Sequence, residues 1–153
     1  MKKIASFQVN HDVLKKGMYV SRVDGDVVTY DIRMKIPNGG DYLNMSAAHT
    51  LEHLFATFAR SGKYADSVVY VGPMGCRTGF YLLLRDDVSK VEAIALVKES
   101  MAFVRDFEGE IPGAKRIECG NYLDHDLAGA KALGKDMYDV LKDWQVANLQ
   151  YKE

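Results

Sequence analysis

The chain has 153 residues, 48% of them hydrophobic and 27% charged, with a formal net charge of -1. That length fits one domain spanning residues 1–153 with a real core, and the composition excludes a disordered chain. The near-neutral charge, with Lys and Arg scattered rather than gathered into a stripe, excludes a dedicated nucleic-acid binder.

No apolar run approaches the ~20 residues of a membrane span. Lys2 and Lys3 begin like a signal peptide, but Asn10, His11 and Asp12 interrupt before an apolar core develops. The expectation is a cytoplasmic protein whose cysteines, Cys76 and Cys119, stay reduced; a Cys76–Cys119 disulfide is the alternative.

In chain order, Ile4 to Val9 reads as a first strand, followed by a polar turn at Asn10-His11-Asp12. Met18 to Val23 is β-rich. Val27 to Ile36 alternates, with Val28, Tyr30, Ile32 and Met34 on one side and Thr29, Asp31, Arg33 and Lys35 on the other, which predicts a half-buried strand. Asp24-Gly25-Asp26 between the two runs predicts a hairpin. Pro37 to Asp41 is a loop. A helix follows, capped by Asn44 or Ser46, running to about Arg60 and ended by Ser61-Gly62. Its apolar stripe is Leu51, Phe55 and Phe58.

Ser67 to Val71 is a short β-branched run, Gly72 to Cys76 a glycine-rich turn, and Gly79 to Leu84 a buried strand. Ser89-Lys90-Val91-Glu92 is a capping box that opens a helix through about Phe107. Gly109 to Ala114 is a loop, Lys115 to Cys119 a candidate short strand, and the last helix starts near Asp124 or Asp126. The order of elements predicts an α+β fold, an antiparallel sheet packed against helices in a two-layer sandwich.

The chemistry gathers on His49-Thr50-Leu51-Glu52-His53. Each helical residue turns by about 100°, so positions i, i+3 and i+4 share a face. His49, Glu52 and His53 then project together, away from the apolar stripe. Two imidazoles bind a divalent metal, and a carboxylate beside it moves protons. The order His-x-x-Glu-His is that of inverted zinc metallopeptidases. A third ligand is needed, and Cys76, Cys119, His11, His125 and the carboxylates are the candidates. Both cysteines sit in glycine-flanked loops, Gly75-Cys76 and Cys119-Gly120, which suits chemistry better than core packing. Spacing alone does not say which one ligates; one ligand and one free proton-shuttling thiol is the economical division. His11, Arg33 and His125 carry no signal by themselves: a turn histidine, a solvated strand arginine and a histidine near a helix start are their ordinary readings.

Several ordered blocks go further. Ser6-Phe7 with His11, Asp31-Ile32-Arg33 with Pro37-Asn38, His49 to Leu54, Gly72 to Tyr81 and Cys119-Gly120-Asn121-Tyr122 together resemble the S-ribosylhomocysteine lyase (LuxS) family over nearly the whole chain. The resemblance implies a LuxS/metallopeptidase-like fold and cleavage of the thioether of S-ribosylhomocysteine. The products would be homocysteine and 4,5-dihydroxy-2,3-pentanedione, precursor of the quorum-sensing compound autoinducer-2, as a step of the activated methyl cycle. It implies one Fe(II) per subunit, replaceable by Zn or Co, held by His49, His53 and Cys119 with the fourth position open. Glu52 and Cys76 match the acid/base residues, Ser6, His11 and Arg33 line the ribosyl end, and Arg60 matches a position near the site. The resemblance further implies a homodimer with the active site at the interface.

The chain departs from the commonest family pattern where Tyr70-Val71-Gly72 replaces Asp-x-Ser and Asn10 replaces an Asp. The first change removes a carboxylate near the expected place of the substrate's amino-acid end. The rival readings are a small metallopeptidase with Glu118 as third ligand, which leaves Cys76 unexplained, and a catalytically inactive metal-binding signalling module.

Overall fold

A computed structural model describes residues 1–152. The alternating runs form one four-stranded antiparallel sheet: β1 (Gly17–Asp24), β2 (Val27–Arg33), β3 (Val68–Pro73) and β4 (Gly79–Arg85), in spatial order β1-β2-β4-β3. The β1–β2 hairpin turns on Gly25-Asp26, between paired Asp24 and Val27. Gly25 adopts a φ of 59°, the left-handed conformation a tight hairpin demands of its first turn residue. Three helices, α1 (Met45–Ala59), α2 (Lys90–Asp106) and α3 (Leu127–Leu141), complete the α+β sandwich.

One core joins the two layers. Tyr30, Ile32, Phe80, Leu82 and Leu84 of the sheet pack with Leu51, Leu54 and Phe55 of α1, Val97, Met101 and Val104 of α2, and Ala130, Met137 and Leu141 of α3. Each fully buried large apolar side chain contributes about 1.5–3 kcal/mol. The helix starts follow local chemistry. Asn44 caps α1 by accepting from Ala47 N–H at 3.1 Å. Ser89 and Glu92 close the predicted capping box on α2, and Asp126 caps α3 by accepting from Gly129 N–H.

Three expectations change. Ile4 to Val9 is no strand: Ala5–Phe7 forms a 3-10 turn, closed by Phe7 N–H to Ile4 O and Gln8 N–H to Ala5 O. With Ile4 and Phe7 largely exposed, no buried face holds the segment extended. Lys115 to Cys119 is likewise a turn, with the Glu118 and Cys119 N–H groups both donating to Lys115 O; Ile117 is 95% exposed, so a strand there would bury nothing.

The polar face of β2 is the third change. Thr29, Asp31 and Arg33 are buried, Asp31 to 1% and Arg33 to 3% exposure. The chain's own C-terminal segment reaches this face, where Tyr151 stacks on Tyr19 and donates its hydroxyl to Asp31 at 2.6 Å. Nothing local to β2 announces a cover that arrives 120 residues later.

The turn between β3 and β4 is pinned to the end of β2. Thr78 O accepts from both Met34 N–H and Lys35 N–H, and Gly79 pairs with Arg33. A Cβ on Gly79 would lie 2.3 Å from the Ile32 carbonyl oxygen, a backbone atom that cannot swing away. Gly79→Ala is therefore expected to lower stability by about 1–3 kcal/mol, the range for a forced overpacking. Denaturant unfolding measures it, and an unchanged midpoint would mean that the sheet yields at this point.

Candidate metal centre

The face of α1 opposite its core stripe carries His49 and His53, and the irregular segment between α2 and α3 folds over it. Three imidazoles are oriented there by their Nδ1 atoms. His49 Nδ1 lies 2.7 Å from Asp124 O, and His53 Nδ1 lies 2.8 Å from Pro112 O. A carbonyl only accepts, so both Nδ1 atoms carry the proton and both Nε2 atoms present a lone pair. His125 Nδ1 lies 2.8 Å from Thr50 Oγ1. That hydroxyl accepts from Asp126 N–H and donates to Ser46 O, so its single proton is spent. His125 Nδ1 must then be the donor, and its Nε2 presents a third lone pair.

These atoms meet the Cys119 sulfur. The ligating atoms of His49, His53, Cys119 and His125 all lie within 4.8 Å of one another. The Cys119 sulfur is 3.5 Å from His49 Nε2 and accepts from Asn121 N–H. The His49 and His125 rings stack at 4.2 Å, with His53 edge-on to both. His125 Nε2 is the one buried side-chain polar atom among the described residues without a hydrogen-bond partner. Burial, followed by the neighbouring His49 and His53, holds the His125 pKa below the usual histidine range, which keeps its imidazole neutral. Three ring nitrogens and a sulfur converging on one point, one of the nitrogens with no other partner, suit a cation, and imidazole with thiolate suits Zn, Fe(II) or Co rather than Mg or Ca.

Each donor is braced from behind. The Ser46 hydroxyl donates to Asp124, the residue whose carbonyl holds His49. Gly113, with a φ of 72°, lets the loop pass so close that a Cβ would lie 3.0 Å from His53 Nδ1. Such second contacts fix ring orientation and ligand basicity.

His49, His53 and Cys119 thus come together as expected from the sequence, and His125 joins them. The structure leaves Glu118 exposed and outside the cluster, so the sulfur takes the place the metallopeptidase reading reserved for a carboxylate. The position of His125 was readable only as a candidate, because its role depends on Thr50, seventy-five residues away. Glu52 is half-buried on α1 and makes no side-chain hydrogen bond among the described residues.

Cys76 and Cys119 are both free thiols. Cys76 is exposed in the β3–β4 turn, 3.1 Å from Thr78 Oγ1. A cavity of about 550 Å³ lies between this turn and the cluster, with His49, Met45 and Asp124 on one side and Met74, Gly75 and Arg77 on the other.

The remaining candidates lie apart. Ser6 lines a separate depression with Tyr70 and Tyr81. His11 is half-buried and its Nδ1 donates to Val9 O. Arg33 is buried against Asp31. Arg60 donates to the Val68 and Val69 carbonyls, tying the end of α1 to β3.

An α+β scaffold with a histidine–cysteine cluster on one helix face, beside a cavity lined on its other side by the turn that carries a second free cysteine, defines a metal-dependent enzyme. The chain belongs to the S-ribosylhomocysteinase (LuxS) family, whose sequence model matches residues 4–148. It is 50% identical to the S-ribosylhomocysteine lyase of Clostridium acetobutylicum, with all of both chains covered. The protein of that name from Clostridium beijerinckii is also 50% identical, covering 99% of each chain. The one from Phocaeicola vulgatus is 48% identical over 99% of this chain and 98% of its own.

Cys119→Ala removes the only sulfur donor of the cluster and is expected to leave purified protein with far less than stoichiometric metal. Elemental analysis showing unchanged content would refute the assignment. Thr50→Val keeps the shape of residue 50 but frees the His125 ring. A fall of about tenfold to a hundredfold in metal affinity is expected, as for other losses of a ligand's hydrogen-bond partner. Competition with a chelator measures it, and equal affinity would mean that His125 has no part in holding the ion.

Proposed function

We propose that the chain is an S-ribosylhomocysteine lyase, cleaving a carbon–sulfur bond to release homocysteine and 4,5-dihydroxy-2,3-pentanedione. The observation that carries the reading is the cavity joining the cluster at His49 to the turn that bears Cys76, in a chain of this family. His49, His53 and Cys119 are the ligands, with His125 beside them. The ion is Fe(II), one per subunit, with Zn or Co able to replace it. When bound, it supplies Lewis-acid stabilisation of negative charge on the sugar's oxygens.

The chain's own residues move protons. The open-chain sugar carries its carbonyl at C1. Removal of the C2 proton and its return to C1, with the O2 proton passing to O1, shifts the carbonyl to C2, and a second shift of the same kind places it at C3. The C5–S bond is then β to a carbonyl. Loss of the C4 proton expels homocysteine thiolate, which is protonated, and the enol left behind becomes the dione. No electrons are gained or lost overall and no water is consumed. Glu52 and Cys76 are the proton carriers, one for each side of the substrate.

Ser6 and His11 contact the ribosyl end from the second subunit of a homodimer, with the active site at the interface. The Ser6 depression holds none of the cluster residues, which supports this, as do exposed Ile4 and Tyr70 in its lining. Arg33 stands behind Cys76, and Arg60 serves the site through the β3 backbone that it holds. Among the described residues no helix is long and apolar enough to cross a membrane. Two free thiols accord with a reducing, cytoplasmic setting. The dione product fits a role in quorum sensing as well as in recycling homocysteine.

The test follows thiol release from S-ribosylhomocysteine by Fe(II)-loaded protein with a thiol reagent. Steady release is expected, and none from fully metallated protein would overturn the reading in favour of an inactive metal-binding module. Cys76→Ala and Glu52→Gln are each expected to lower kcat by about a hundredfold or more while keeping their metal. Full activity in either variant would remove that residue from the reaction.

A further inference from the structure

Asp31, Arg33 and Thr78 form a buried polar line on the outer face of the sheet, 1%, 3% and 3% exposed. A buried ion pair is costly to desolvate and is weak evidence of a gain in stability. This one is held rigidly. Arg33 Nε donates to Asp31 Oδ1 at 3.1 Å and Nη2 to Asp31 Oδ2 at 2.6 Å, leaving Nη1 to donate to Thr78 Oγ1 at 2.8 Å. Beyond Asp31, the Tyr151 hydroxyl donates to the same carboxylate. Burial and the Asp31 charge push the Tyr151 pKa up, so the phenol keeps the proton that it donates.

Donor counting then settles the direction at the far end. A guanidinium has no acceptor, so Thr78 Oγ1 accepts from Arg33. Its own proton remains free to point at a second neighbour, and burial keeps water from claiming it. Among the described residues, the one other hydrogen-bonding atom against Oγ1 is Cys76 Sγ, at 3.1 Å. Thr78 therefore donates and the sulfur accepts.

We propose that Thr78 is a positioning residue for Cys76, presenting its hydroxyl proton to the sulfur under the direction of Arg33. The proposal rests on the reading of Cys76 as a proton carrier. A donor aimed at sulfur stabilises the thiolate over the thiol, because hydrogen bonds to an ionised acceptor are the stronger ones. It also fixes the side-chain direction of an otherwise exposed residue. The backbone is built for this: Thr78 O is held by Met34 and Lys35 N–H, and Arg77 takes a left-handed φ of 61° to complete the turn. Placement by rigid surroundings is what proton transfer at carbon requires.

The experiment measures the alkylation rate of Cys76 by iodoacetamide against pH in the metal-loaded protein, using peptide-resolved mass spectrometry to separate Cys76 from Cys119. Thr78→Val is expected to move the midpoint upward, because the sulfur loses its donor. It is also expected to lower kcat by about tenfold to a hundredfold, the loss of one charge-assisted hydrogen bond, at unchanged metal content. Thr78→Ser, which keeps the hydroxyl, is expected to restore both. Should Thr78→Val not fold, Thr78→Ala gives the same comparison. A hydroxyl-free variant with the wild-type midpoint, or a serine variant that fails to restore it, overturns the proposal. Alkylation needs no turnover: a shifted midpoint in a protein that releases no thiol would sink the lyase reading and keep Thr78 in place, and the reverse outcome would do the opposite.

Discussion

Three Nδ1 hydrogen bonds are the constraint on which the site depends. Asp124 O, Pro112 O and Thr50 Oγ1 each claim one ring proton, and so each turns an Nε2 lone pair toward the Cys119 sulfur. None of these acceptors is in the cluster itself. Two belong to the irregular segment between α2 and α3, which has little regular structure because its backbone is committed to α1. Thr50 is the joint, bonding at once to Ser46 of its own helix, to the ring of His125 and to the N–H of Asp126, the cap of α3. The end of the metal loop and the start of α3 are thus one feature, and α3 packs on α1 and α2 from a starting point set by the site.

Helix α1 divides its surface accordingly. Leu51, Leu54 and Phe55 are fully buried and anchor the helix to the sheet. The strip with His49, Glu52 and His53 is left for chemistry, and Asn44 and Arg60 fasten the two ends. A ligand-bearing helix held at both ends and along one face has little freedom to tilt. That rigidity lets loops, otherwise the less ordered part of a fold, supply the third and fourth donors.

Much of this was legible from local pattern. The helical spacing of the His-x-x-Glu-His run, the capping box at Ser89 and the hairpin at Gly25 each depend on residues close in sequence, and each stands as expected. What was not legible depends on distant partners. His125 looked like a histidine near a helix start because its lock, Thr50, lies on another helix. Arg33 looked solvated because strand alternation reports two faces and not what covers them; Tyr151 does the covering. The strands expected at Ile4 and Lys115 failed for a related reason: apolar residues at strand spacing form a strand only where another edge or layer receives them.

The same dependence on close partners explains the departure at Tyr70 and Gly72. These residues lie two apart on β3, on one side of the sheet, and the Tyr70 ring folds back across Gly72. A Cβ at position 72 would lie 2.0 Å from the Tyr70 hydroxyl oxygen and 2.4 Å from its ring carbon. A side chain at 72 would therefore push the Tyr70 ring out of this pose, and the glycine is what lets the ring lie flat along the strand. Tyrosine brings a hydroxyl with it, at the rim of the depression that Ser6 also lines. The polar group is moved along the strand rather than lost, and it passes from a carboxylate to a hydroxyl.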